Sequence, residues 1–147
     1  MIIRTFVKDD IPEMIDLSRQ LAKHVDDPEP NLTAEAIVEL AFGNTRWFDA
    51  LVAEERHGII GFAAFTQNFE FHTNSRTLFV TDLVVSDQVR RAGVGQSLLE
   101  ALHRIAIKRN CSAIKFEIWK CNAQAHVFYG KHGAECIQDV ALMRIAL

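Results

Sequence analysis

The spacing of apolar residues changes early in the chain. Met1 to Val7 alternates loosely, as a strand with one buried face does. Ile11, Met14, Ile15, Ser18, Leu21, Ala22 and Val25 then recur at helical spacing and predict an amphipathic helix. Asp10 followed by Glu13 predicts an N-cap with a capping-box partner, and Pro12 fits a first turn. Asp26-Asp27-Pro28-Glu29-Pro30 ends that helix, since two prolines among three acids cannot extend it. Thr33 caps a second, shorter helix carrying Ile37, Val38, Leu40 and Ala41, which Gly43 closes.

The middle of the chain is β-rich. Ala50 to Glu54 and Ile59 to Asn68 read as strands around a turn at His57-Gly58, and Thr77 to Val85 returns after His72-Thr73-Asn74-Ser75. A helix is predicted from Val94 to Lys108, with Glu100 and Arg104 paired across one turn. Ala113 to Ile118 reads as a strand. Asn122 caps a helix through Lys131, with Gly133 placed to end it. Ala134 to Ile137 and Val140 to Ile145 are expected to form a closing strand pair. No repeat, linker or low-complexity stretch interrupts this order.

The most informative stretch runs from Thr81 to Leu99. An apolar run rich in β-branched residues gives way to a polar turn with Arg90, Arg91, Gly93 and Gly95, and then to the helix carrying Val94, Leu98, Leu102 and Ile105. Such a turn leaves backbone N–H groups unpaired at the positive end of a helix dipole, which suits a phosphate or pyrophosphate. Arg90 and Arg91 add positive charge. The turn is neither G-x-x-x-x-G-K-[ST] nor G-x-G-x-x-G with an acid at the ribose-binding distance, which disfavours a P-loop or a dinucleotide fold. It reads R-x-x-G-x-G from Arg90. A second motif, N-x-x-A-x-x-F-Y-x-x-x-G-A, is filled by Asn122, Ala125, Phe128, Tyr129, Gly133 and Ala134.

These two motifs, with the strand Asp82-Leu83-Val84-Val85 before the first, resemble the GNAT superfamily of N-acetyltransferases. Phe79 to Asp87 is most similar to the diamine (spermidine/spermine) acetyltransferases. The resemblance covers nearly the whole chain and implies a single α/β (α+β) domain over residues 1–147. Its sheet would be mixed and mostly antiparallel, with helices on both faces and a splayed central strand pair. The cofactor implied is acetyl-CoA, as co-substrate. The backbone of Leu83, Val84 and Val85 would hydrogen-bond the pantetheine arm. Arg90 and the amides of Arg91, Ala92, Gly93, Val94, Gly95 and Gln96 would face the pyrophosphate. Asn122 would either cap its helix or touch the cofactor, or do both.

Composition narrows the partners. The chain has 147 residues, 49% of them hydrophobic and 24% charged, so one domain with a substantial core is affordable. A net charge of −3 argues against nucleic-acid binding, and no apolar run reaches the length of a membrane span. No export signal is evident, which sets a cytoplasmic expectation. Cys111, Cys121 and Cys136 lack metal or disulfide spacing and are expected to be free and mostly buried. No metal site is expected from the histidines either. A homodimer is consistent with similar enzymes.

The expected reaction is transfer of an acetyl group to a primary amine, by direct attack in a ternary complex, with a small amine or polyamine favoured by the resemblance and an aminoglycoside or a peptide terminus left open. Tyr129 is the only tyrosine beside ten phenylalanines, so its hydroxyl rather than its bulk is expected to matter. By the resemblance it is the general acid that protonates the departing thiolate. The amine must lose a proton before it attacks, and the glutamate that does this work in the similar diamine enzymes is replaced here by Thr81. Asp82 and Glu117 are the candidate bases, each also readable as an ion-pair member. Asp26, Asp27 and Glu29 lie where the family builds its acceptor site and would favour a cationic amine, unless they form a solvated loop. A covalent route through Cys121 has no histidine placed by sequence to activate the thiol. The alternative from another class is a catalytically silent acyl-CoA-binding module.

Overall fold

A computed structural model describes residues Met1 to Ala146. Their backbone forms two compact units, Met1–Glu117 and a second beginning at Ile118. The first unit holds five strands in the order β1-β2-β3-β4-β5: Ile2–Thr5, Asp49–Glu55, Gly58–Glu70, Ser75–Val85 and Ala113–Phe116. The pairs β1–β2, β2–β3 and β3–β4 are antiparallel, and β4–β5 is parallel.

Alternation in the strands sends side chains to two cores, one on each face of the sheet. On one face Val52, Phe62, Ala64 and Val84 pack with Ile11, Met14, Ile15 and Leu17 of α1 (Ile11–His24) and with α2 (Ala34–Phe42). On the other, Leu51, Ala63, Phe65, Leu78 and Val80 pack with Val94, Leu98, Leu102 and Ala106 of α3 (Val94–Lys108). The start of α3 approaches the sheet closely at Gly61, where a methyl group would come within 2.8 Å of Val84 O and 3.2 Å of Val94 Cγ1. The fold class is thus a mixed, mostly antiparallel sheet with helices on both faces.

The predicted caps of α2 and of α4 (Ala123–Lys131) form, with Thr33 Oγ1 accepting from Ala36 N at 3.2 Å and Asn122 Oδ1 from Ala125 N at 3.0 Å. The predicted capping box of α1 does not. Asp10 lies at the N-cap position but is buried, and its carboxylate accepts from Arg4 Nη1 (2.7 Å), Arg4 Nη2 (2.8 Å) and Val7 N (2.7 Å). Arg4 also donates to Glu54 at 2.7 Å. Glu13 reaches across to accept from Ile59 N at 2.6 Å. Both acids therefore tie α1 to the sheet instead of closing the helix end. Glu100 takes a hydrogen bond from Gln96 (2.9 Å) in place of the expected pairing with Arg104.

Two further expectations fail. No strand forms over residues 134–146. The two apolar runs there are joined by Gln138-Asp139, with no glycine to favour a tight hairpin, and a lone strand pair is marginal in water. Their apolar side chains stay exposed, Leu142 by 80% and Ile145 by 90%. Of the cysteines only Cys111 is half-buried, while Cys121 and Cys136 are exposed. Among the described residues no helix is long and apolar enough to cross a membrane, and no cluster of ligands could hold a metal ion.

The Arg4 guanidinium hydrogen-bonded to Asp10 holds that carboxyl below the usual range, outweighing the opposite effect of burial. Asp10→Asn is therefore expected to cost about 1–3 kcal/mol at neutral pH, read from urea denaturation. A lowered folded pKa gives stability that is full above the unfolded value and lost as pH falls through the folded one. The difference between native protein and variant should accordingly close below about pH 4, and a gap unchanged at about pH 2 would refute the assignment.

Candidate active site

β4 has one residue too many for its partner. Ala64 pairs with Asp82 and Phe65 with Val80, so Thr81 is the extra residue of a bulge. Its hydroxyl donates to Ala64 O at 3.3 Å. The bulge reverses which way the strand's side chains face. Leu78 and Val80 point to the α3 core before it; Leu83 and Val85 pack there after it, and Val84 turns to the α1–α2 core. An unbulged strand would send Asp82 into the α3 core. With the bulge, Asp82 lies opposite Ala64 on the α1–α2 face and is exposed. Among the described residues its carboxylate has no hydrogen bond or ion pair. Glu117, also exposed, has none either.

The parallel pairing of β4 with β5 ends at Val80 and Phe116, although β4 continues to Val85. From Thr81 to Val85, no strand among the described residues pairs with the β5 side of β4. This is the splayed strand expected from the resemblance, and it leaves alternate backbone N–H and C=O groups open to another partner. Leu83, Val84 and Val85 occupy this limb.

The limb leads through Ser86 and a 3-10 turn, Asp87–Val89, into the arginine-glycine turn. Arg91 has φ 66° and Gly93 φ 82°, so two residues of the turn are left-handed. For Arg91, which carries a Cβ, that conformation is strained. Gly93 is the N-cap of α3 and has no side chain to offer, and the first helical hydrogen bond runs from Ser97 N to Gly93 O at 3.0 Å. The N–H groups of Val94, Gly95 and Gln96 are thus without helical acceptors, at the positive end of a 15-residue helix. Arg91, Ala92 and Gly93 are exposed beside them.

The two arginines differ. Arg90 Nη2 pairs with Asp87 Oδ1 at 2.5 Å, and Arg90 Nη1 lies 3.0 Å from Nδ1 and 2.9 Å from Nε2 of His24. The charge of Arg90 is therefore largely met within the protein, whereas Arg91 has no ion pair among the described residues.

Between α1 and α2, Glu29 is held by Arg19 Nε at 3.0 Å. Asp26 and Asp27 have no cationic partner among the described residues, and Asp26 adopts φ 56°. In the second unit, the Asn122 oxygen accepts its capping bond, and the amide N–H groups are further donors. Tyr129, half-buried on α4, has its ring 5.0 Å from that of Phe128, edge to face. Reasoning from sequence missed the Thr81 bulge and the His24–Arg90 contact. The bulge had a signal, in the adjacent polar residues Thr81-Asp82 that put the apolar runs on either side out of step.

A Cβ on Gly93 would meet nothing within 4 Å, so Gly93→Ala tests backbone conformation alone. The substitution is expected to cost about 1–2 kcal/mol in urea denaturation. An unchanged midpoint and slope would show that the turn does not require the left-handed conformation.

The sequence profile of the Acetyltransferase (GNAT) family matches residues 12–134. A thialysine N-epsilon-acetyltransferase of Bos taurus is 24% identical, over 95% of this chain and 86% of its own length. A spermidine/spermine N(1)-acetyltransferase-like protein 1 of Homo sapiens is 28% identical over 85% of this chain, which spans only 19% of that longer protein. A crystal structure of a probable acetyltransferase superposes with a TM-score of 0.84 at 15% identity, covering 100% of this chain and 98% of the other. The open limb of β4 and the amide-lined turn thus lie within a match over most of the chain, which belongs to the Acetyltransferase (GNAT) family and is an N-acetyltransferase.

Proposed function

We propose that this enzyme, acting as one domain, transfers the acetyl group of acetyl-CoA to a primary amine by direct attack in a ternary complex. Small amines and polyamines are the favoured acceptors. The observation that carries the reading is the unpaired limb of β4 running directly into a turn of unpaired amides. One end offers strand-like hydrogen bonds to a chain of amides, as pantetheine is, and the other offers N–H groups and Arg91 to a diphosphate. On this reading Leu83, Val84 and Val85 bind the pantetheine, and residues 90–96, with Asn122, bind the rest of the cofactor.

The chemistry forms a C–N bond and breaks a C–S bond. Asp82 takes the proton that the attacking ammonium must shed, because the bulge keeps its carboxylate exposed and uncommitted. A backbone N–H near Val84 stabilises the oxyanion of the tetrahedral intermediate. Tyr129 gives its proton to the leaving thiolate; support comes from its being the only tyrosine in the chain. Asp26 and Asp27 draw a cationic acceptor, and Glu29, already paired with Arg19, contributes less. The similarity to a thialysine N-epsilon-acetyltransferase and to a spermidine/spermine N(1)-acetyltransferase-like protein favours this acceptor class.

Thiol release from acetyl-CoA, followed across a panel of diamines, polyamines and lysine-like amines, tests the reading. Turnover with at least one cationic amine is expected. Calorimetric binding of CoA without turnover on any amine would instead favour a silent acyl-CoA-binding module. In an active enzyme, Tyr129→Phe is expected to lower kcat by roughly a hundredfold with little change in the KM for acetyl-CoA. Unchanged turnover would remove Tyr129 from the chemistry.

A further inference from the structure

We propose that Thr81 is a positioning residue for Asp82: its hydroxyl selects which of two polar residues forms the bulge, and so fixes the face on which the carboxylate stands. The proposal rests on the assignment of Asp82 as the base. Packing alone narrows the bulge to two positions. Val80 is 3% exposed in the α3 core and pairs with Phe65, so it is not the residue left out of the ladder. Leu83, opposite Ala63, packs against the same core. The one extra residue therefore lies between them, at Thr81 or at Asp82. Both side chains are polar and exposed, so burial does not distinguish the two arrangements.

The cross-strand bond does distinguish them. With Thr81 as the extra residue, its Oγ1 donates to Ala64 O at 3.3 Å, and Asp82 takes the ladder position opposite Ala64. With the bulge one residue later, Thr81 would stand opposite Ala64 and Asp82 would be the unmatched residue. Its carboxylate would then no longer be held to the α1–α2 face by the alternation of the strand. Pairing from Leu83 onward is the same in both arrangements. The choice therefore bears on the base and not on the limb assigned to pantetheine. Valine would suit the strand as well as threonine does, so the hydroxyl is what threonine adds here.

Steady-state kinetics of the full chain, with acetyl-CoA and the amine that the panel shows to be turned over fastest, test the proposal. The variants are Thr81→Val, Thr81→Ser, Asp82→Asn and Thr81→Val/Asp82→Asn. Thr81→Val keeps the branched shape and loses the donor. It is expected to lower kcat by roughly three- to tenfold, with the KM for acetyl-CoA within about twofold of native. Thr81→Ser, which keeps the hydroxyl, should retain most of the native kcat. In the Asp82→Asn background, Thr81→Val should cost nothing further. Native-like kcat in Thr81→Val would overturn the proposal. So would a Thr81→Ser variant as slow as Thr81→Val, or an equal further loss in the Asp82→Asn background. Native-like kcat in Asp82→Asn would instead remove Asp82 as the base, and this proposal with it.

Discussion

The insertion of Thr81 into β4 sets the orientation of the strand that leads to the site. A strand in a two-faced sheet must alternate its side chains between two cores, and one extra residue exchanges the faces for every position beyond it. Leu78 and Val80 on one side of the bulge, and Leu83 and Val85 on the other, can then all enter the α3 core. Asp82 is carried to the opposite face and stays exposed, free of a burial penalty that no neighbouring cation offsets. The same region marks the end of pairing with β5, so one short stretch both reorients the strand and opens its edge.

The surface proposed to bind the cofactor is built mainly from backbone. The limb from Thr81 to Val85 offers strand groups without a partner, and the start of α3 offers N–H groups without helical acceptors. These are groups that a folded chain ordinarily satisfies internally. In the proposed complex a ligand of matching polarity satisfies them, pantetheine along the limb and a diphosphate at the turn. Side-chain charge is secondary. Arg90 is matched by Asp87, and the exposed Arg91 sits in a conformation that side-chain-bearing residues seldom adopt.

The scaffold is pinned by polar contacts at a few points. Arg4, bridging Asp10 and Glu54, joins β1 to the entry of α1 and to β2, and Glu13 holds the β2–β3 turn through Ile59 N. These bonds fix α1 against one face of the sheet, and with it the position of His24 at the helix end. The opposite face is fixed by the close approach of α3 to Gly61, which sets where the amide turn begins.

The amino-acid sequence by itself determined the elements whose causes are local. α3 runs from Val94 to Lys108 as its periodicity predicts; Thr33 and Asn122 sit at helix starts because their side chains accept from N–H groups of the same segment, and Gly43 ends α2 where a Cβ would collide with Glu39 O. The glycine turn and its resemblance to acetyltransferases were legible for the same reason. Tertiary structure decided the features that depend on partners far along the chain. Asp10 and Glu13 look like a capping box until Arg4 and Ile59 N compete for them, and burial beside a guanidinium outweighs a solvent-exposed cap. The bulge at Thr81 depends on register with β3. The contact of Arg90 with His24 depends on α1, distant in the chain, and the apolar run after Ala134 shows the converse, that β propensity without a ladder partner makes no strand.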